Sequence, residues 1–156
     1  SLPDAAAKLR LGGALGAATD APALRGRVLH LSGELGSGKT TLVRGMLRAL
    51  GHAGRVKSPT YTLLEPYSLS RLDLYHFDFY RFKDRSEWLS SGFREHFNAE
   101  SLCIVEWPER AGDSIAPPDL GIDLQYQAEG RAATLSARSA AGEAWLVAAL
   151  QRWRSS

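Results

Sequence analysis

A chain of 156 residues with 44% apolar and 23% charged content has the size and composition of one domain, spanning 1–156 around a single hydrophobic core. The 19 Lys plus Arg against 17 Asp plus Glu leave a formal charge of +2, too little to argue for direct contact with nucleic acid. A lone Cys103 excludes an internal disulfide framework and a multi-cysteine metal site, and its neighbours Leu102 and Ile104 make it a small buried hydrophobe of a reducing cytosol.

Ser1 stands where an initiator Met is expected, so the extreme N-terminus carries little functional weight in this reading. The Ala-rich stretch 14–23 is broken by Asp20 and Pro22, and no apolar run reaches the ~18 residues needed to span a bilayer. Residues 27–32, Arg-Val-Leu-His-Leu-Ser, form a run rich in aliphatic residues that stops at Gly33, which predicts a buried strand entering a turn. After Lys39, the residues Leu42, Val43, Met46, Leu47 and Leu50 recur at helical spacing, with Gly51 at the expected C-cap. Residues 61–65 and 72–78 are rich in strand formers and are joined by a polar link at 68–71, which predicts a hairpin. A short helix is expected over 84–89, with Asp84 as N-cap and Glu87 as its reciprocal partner. Residues 102–105, Leu-Cys-Ile-Val, predict a central strand that carries Glu106 at its carboxyl end and is stopped by Pro108. Alternation over 120–126 and 133–137 predicts two more strands around Gly130, and 141–153 a closing amphipathic helix.

Between the first strand and its helix lies Gly33-Glu34-Leu35-Gly36-Ser37-Gly38-Lys39-Thr40, a complete G-x-x-x-x-G-K-[ST] pattern. The glycines let backbone N–H groups curl around phosphate oxygens while the helix points its positive end at them. Lys39 is then the lysine for the β- and γ-phosphates, and the Thr40 hydroxyl a ligand of the Mg²⁺ that bridges them. Residues 33–41 and Thr60 are the expected nucleotide contacts, with ATP and Mg²⁺ the expected ligands. Glu106 occupies the strand end where such folds place a second Mg²⁺-handling acid, although Asp is more usual there. In His76-Phe77-Asp78-Phe79-Tyr80-Arg81 the aromatics alternate with polar groups, so Asp78 can face a pocket while the rings pack. His76 reads as a satisfied core histidine and Arg81 as an ion-pair partner rather than a catalytic finger. Guanine specificity needs an N-K-x-D segment, yet the one Asn, Asn98, precedes Ala99. A small-molecule kinase would need an acceptor site and an Arg-bearing lid, and Arg81, Lys83 and Arg85 form no obvious insertion. That reading stays second, and a nucleotide-binding module without turnover third.

Four blocks, 33–41, Ser58-Pro59-Thr60-Tyr61-Thr62-Leu63, 76–81 and Ile104-Val105-Glu106-Trp107-Pro108-Glu109, in this order and spacing, resemble the TsaE (YjeE) family. The resemblance implies a small P-loop ATPase that serves the threonylcarbamoyladenosine modification of tRNA together with a threonylcarbamoyl transferase and its dimerising partner. Any contact with tRNA would be indirect, and the setting cytoplasmic. It further implies catalytic roles for Lys39, Asp78 and Glu106, metal ligation by Thr40 and Glu106, and a switch-like segment at 58–61, with Trp107 supporting the site. Two departures stand out. The family usually places a Thr three residues before a Leu-Gly pair near the adenine, where this chain has Lys8 before Leu11-Gly12. Residues 90–95, Ser-Ser-Gly-Phe-Arg-Glu, replace the family's leucine-glycine and paired acids. The expected fold is α/β, a P-loop NTPase-like three-layer arrangement with a mixed parallel and antiparallel sheet.

Overall fold

The structure is a computed structural model that describes all residues except 1, 35, 60, 84–86, 89, 90, 129 and 156, and only the backbone of residue 113. The elements are α1 (Ala5–Ala17), β1 (Val28–Gly33), α2 (Lys39–Ala49), β2 (Leu64–Ser68), β3 (Asp73–Asp78), β4 (Ser101–Glu106), β5 (Leu120–Gln127), β6 (Gly130–Ala137) and α3 (Ala140–Ser155). The strands form one six-stranded sheet in the order β2-β3-β4-β1-β5-β6. The four inner strands run parallel, while β2 and β6 return antiparallel at the two edges. The expected mixed sheet is therefore present, with both hairpins at its edges.

Alternation along the strands divides the interior into two cores on opposite sheet faces. On one face Leu29, Leu31, Leu74, Leu102, Ile104 and Ile122 pack against Leu42, Val43, Met46 and Leu47 of α2, Leu11 and Leu15 of α1, and Trp145 of α3. On the other face Val28, Phe77, Cys103 and Val105 pack under Phe79, Phe82 and Trp88, with Phe93 and Phe97 against them. Helices, sheet and aromatic layer make the three layers. As expected, Cys103 is a buried hydrophobe, 1% exposed, and burial pushes its thiol up to about 12. No helix among the described residues is long and apolar enough to cross a membrane.

The structure adds two features at the N-terminus and moves one strand boundary. No element is assigned to the N-terminal segment from the sequence, yet α1 is there, capped by Asp4, whose carboxylate accepts from the Ala7 N–H at 2.9 Å. The extreme N-terminus, given little functional weight from the sequence, is built into the fold structurally: Leu2 is 2% exposed and exchanges backbone hydrogen bonds of 2.6 and 2.8 Å with Arg131. The first hairpin strand begins at Leu64 rather than Tyr61, because the Leu63 N–H bonds back to the Pro59 carbonyl and Leu63 takes a φ of 68°, a turn geometry that a strand cannot continue. Most of the expected helix at 84–89, and the departure at residue 90, lie outside the described residues.

Small residues seat α1 on α2. A Cβ added at Gly12 would come within 2.0 Å of the Leu42 carbonyl oxygen, and one at Gly45 within 2.2 Å of that of Leu9. The overlaps involve backbone, which cannot rotate away. Gly12→Ala is therefore expected to cost about 2 kcal/mol or more in urea unfolding, against little change for Gly13→Ala, which meets nothing within 4 Å.

Candidate functional site

The centre of the sheet decides where ligands can gather. β1 lies between β4 and β5, and its carboxyl end opens into the loop that leads to α2. Loops at the carboxyl ends of parallel strands form the crevice of such folds. Gly38, the residue before α2, takes a φ of 102°, and Gly36 one of 79°. These left-handed values are the reason glycine is needed at both positions. The turn they make leaves the first N–H groups of α2 without intrahelical partners and facing the loop.

Beside this loop lies a cavity of about 310 Å³ lined by Gly36, Ser37, Gly38, Lys39, Thr40, Thr41, Ser58, Asp78, Glu106 and Trp107. Four segments far apart in sequence thus converge on it. Asp78 and Glu106 are paired across β3 and β4, and Glu106 is paired with Leu31 across β4 and β1. That register puts Glu106 one strand from the loop and Asp78 two. Gly33 and Glu34 line an adjoining hollow with Trp107, Glu109, Asp123 and Tyr126 rather than the cavity itself. Leu35 and Thr60 lie outside the described residues.

Lys39 is only 5% exposed, and its ammonium donates to the Gly33 and Glu34 carbonyls at 2.6 and 3.1 Å while lying 4.7 Å from the centre of the Trp107 ring. Burial lowers its pKa, and Glu106, followed by Asp78, Glu109 and Asp123, pulls it back up. The amine thus stays within the loop on carbonyl oxygens that an anion can replace. Trp107 holds a φ of 56°, a strained value for a bulky residue, and this turn sets its ring over the lysine.

The two carboxylates differ in their surroundings. Glu106 Oε2 and His76 Nε2 share a hydrogen bond of 2.5 Å. One of its oxygens is therefore fixed from behind. His76 is fully buried, and its Nδ1 finds no partner among the described residues, so the sequence reading of a satisfied core histidine holds for one nitrogen only. Asp78 accepts from the Tyr80 N–H at 2.9 Å. Burial raises its pKa most, and neighbouring Glu106 raises it further, against the Tyr80 N–H, His76 and Lys39. Arg81 stacks over Tyr61 at 4.4 Å, and the expected ion pair is not found among the described residues.

The residues fit a nucleotide phosphate chain with a divalent cation. Ser37 Oγ is fully buried in the cavity lining and has no partner among the described residues, as a donor awaiting an acceptor would be. No cluster of three His, Cys, Asp or Glu among the described residues is able to hold a metal alone. Mg²⁺ commonly binds through one or two protein ligands and substrate phosphates, so Thr40 and Glu106 suffice on that pattern.

The family model described as "Threonylcarbamoyl adenosine biosynthesis protein TsaE" matches residues 2–135. The chain belongs to the TsaE family. It is 42% identical over 116 residues to the tRNA threonylcarbamoyladenosine biosynthesis protein TsaE of Haemophilus influenzae, covering 74% of this chain and 73% of that one. With the TsaE of Bacillus subtilis it is 46% identical over 89 residues, 57% of this chain and 55% of the relative, and with that of Treponema pallidum 36% over 105 residues, 67% and 77%. The crystal structure of Bacillus subtilis YdiB superposes with a TM-score of 0.66 at 27% identity, over 94% of this chain and 88% of the other. The resemblance carried by the four blocks is borne out, as is the expected fold. As a TsaE-family member, the chain takes part in tRNA threonylcarbamoyladenosine biosynthesis.

Two features of this TsaE chain escape a motif reading. The His76 contact to Glu106 is visible only once β3 and β4 are known to be neighbours in register. Another, His30, occupies the middle of β1 with Nε2 buried and no partner for it among the described residues. Burial lowers its pKa to about 4, against a smaller opposing hydrogen bond with the Ala116 backbone. The unfolded chain takes up a proton there below about pH 6.5 while the folded chain does not until about 4, so stability is lost as pH falls through that window. Urea unfolding at pH 7 and pH 5 is expected to show a smaller acid loss for His30→Gln than for the parent. Equal losses would contradict a neutral buried His30.

Proposed function

We propose that this chain is an ATPase that binds Mg-ATP on the loop of residues 33–40 and hydrolyses it slowly in support of tRNA N6-threonylcarbamoyladenosine synthesis. The observation that carries this reading is the single cavity where Lys39, Thr40, Asp78 and Glu106 meet beside a glycine loop and a helix N-terminus. On this reading the loop N–H groups and α2 hold the phosphates, and Lys39 exchanges its two carbonyl partners for β- and γ-phosphate oxygens. Thr40 and Glu106 would hold Mg²⁺, which would supply neutralisation of the phosphate charge. His76 orients Glu106 from behind. Asp78, with its raised pKa, positions or accepts a proton from the attacking water.

Among the described residues that line the cavity, Lys39 is the one cation. P-loop enzymes without an arginine finger are typically slower by ~10³ or more. A partner therefore completes the site, and the threonylcarbamoyl transferase with its dimerising partner fills that role, in the cytoplasm and with tRNA touched only through them. Residues 58–61 lead into the left-handed turn at Leu63 and are the segment that reports the γ-phosphate to that partner.

Phosphate release from ATP in water, measured alone and with the transferase pair, tests this. Slow release alone and a large stimulation by the pair is expected. A fast chain indifferent to the pair would contradict the partner-gated mechanism, and phosphate transfer to a metabolite would make the chain a small-molecule kinase.

A further inference from the structure

Lys8 sits on the inward side of α1. Leu11, Gly12, Leu15 and Gly16, which follow it at helical spacing, are all buried, and Lys8 is itself half-buried. Lysine is uncommon on such a face. Because the glycine contacts fix α1 on α2, they also fix where the Lys8 side chain lands. It lands on the phosphate loop: Cδ, Cε and Nζ of Lys8 lie 2.5, 2.9 and 2.9 Å from the position a Cβ on Gly38 would occupy. Gly38 thus serves twice, adopting a left-handed φ and leaving room for the lysine stem.

The position is electrostatically unfavourable for a cation. The N-terminus of α2 carries the positive end of the helix dipole, and the neighbouring residue, Lys39, is already a cation. Among the described residues the Lys8 side chain has neither a carboxylate within ion-pair distance nor a hydrogen-bond acceptor. A buried-face ammonium at a positive helix end lacks a counter-charge until an anion arrives there. Backbone around the second glycine of such loops cradles the α- and β-phosphates, whereas Lys39 serves the β- and γ-phosphates.

We infer that Lys8 is a second phosphate-binding lysine, reaching from α1 across Gly38 to the part of the phosphate chain that ATP and ADP share. This rests on the nucleotide-binding reading given above and assigns a further contact residue within it. An ammonium that contacts phosphate only in the complex adds affinity without adding stability to the nucleotide-free chain.

Calorimetric titration of the parent, Lys8→Met, Lys8→Arg and Lys39→Ala with Mg-ATP and Mg-ADP tests it, alongside thermal melting of each nucleotide-free chain. Lys8→Met keeps the length and packing of the stem and removes the charge. It is expected to weaken ATP and ADP by a similar factor, about tenfold, with Lys8→Arg restoring most of the loss. The nucleotide-free Lys8→Met chain is expected to melt at or above the parent temperature, since a repulsion with the helix dipole is gone. Lys8→Thr is the second variant should methionine perturb folding, and the same outcome is expected. Parent-like affinity of both neutral variants, a loss confined to ATP, or a loss accompanied by a lower melting temperature in both would overturn the assignment. A parent chain that binds neither nucleotide overturns the functional reading as well, whereas loss in Lys39→Ala with none in Lys8→Met removes Lys8 alone.

Discussion

Replacing Lys39 by alanine is expected to weaken Mg-ATP binding by ~100-fold or more while leaving the fold in place. The fold survives because the Lys39 ammonium is held by two loop carbonyls and the Trp107 ring rather than by the apolar core. Affinity falls because a charge-assisted contact to two phosphates is worth about 1.5–3 kcal/mol, and its loss leaves those phosphate charges without the lysine. The neighbouring carboxylates add to the effect. Glu106 and Asp78, which lie near enough to raise the Lys39 pKa, would then repel an anion with no cation between them. Titration calorimetry reads the affinity, and far-ultraviolet circular dichroism checks the fold. Unchanged affinity in a folded Lys39→Ala chain would remove the phosphate-loop assignment.

The second large effect separates the two carboxylates. Glu106→Gln is expected to raise the Mg²⁺ concentration needed for ATP binding about tenfold or more, since it removes a ligand charge. Asp78→Asn is expected to leave binding within about threefold of the parent and to lower turnover by ~10² or more, because a positioned base contributes that much to the chemical step. The basis is position: Glu106 ends the strand next to β1, and its influence on Lys39 exceeds that of Asp78. Asp78 stands one strand further out, with a pKa raised chiefly by burial. Metal titrations of binding and single-turnover phosphate release check the pair. The reverse pattern, with Asp78→Asn abolishing the Mg²⁺ dependence, would exchange the two roles.

How much of this was legible in the sequence depended on how local the signal was. The phosphate loop occupies eight consecutive residues between a strand and a helix, so periodicity and one motif located it, and β1, α2 and β4 formed close to where their apolar runs placed them. Glu106 and Asp78 were legible as strand-end acids, and the parallel pairing of β3 with β4 brought them together. The helix α1 was not, because its small residues, Ala5, Ala6, Ala7, Gly12, Gly13, Ala14 and Gly16, give little amphipathic contrast. Their use is close approach to α2, a tertiary property that periodicity does not encode. Lys8 was legible only as a departure from the family pattern, since its proximity to Gly38 follows from that helix contact. The late start of β2 reflects a turn closed by the Leu63 N–H on Pro59, in a segment whose β-forming composition reads as strand.

The most direct single measurement is a crystal structure of the chain with Mg²⁺ and a non-hydrolysable ATP analogue. The account predicts phosphate oxygens in the cavity beside residues 36–41, Lys39 moved from the Gly33 and Glu34 carbonyls onto the β- and γ-phosphates, and a metal ion held by Thr40 and Glu106. Nucleotide bound elsewhere, or Lys39 still on its two carbonyls with the analogue present, would contradict it.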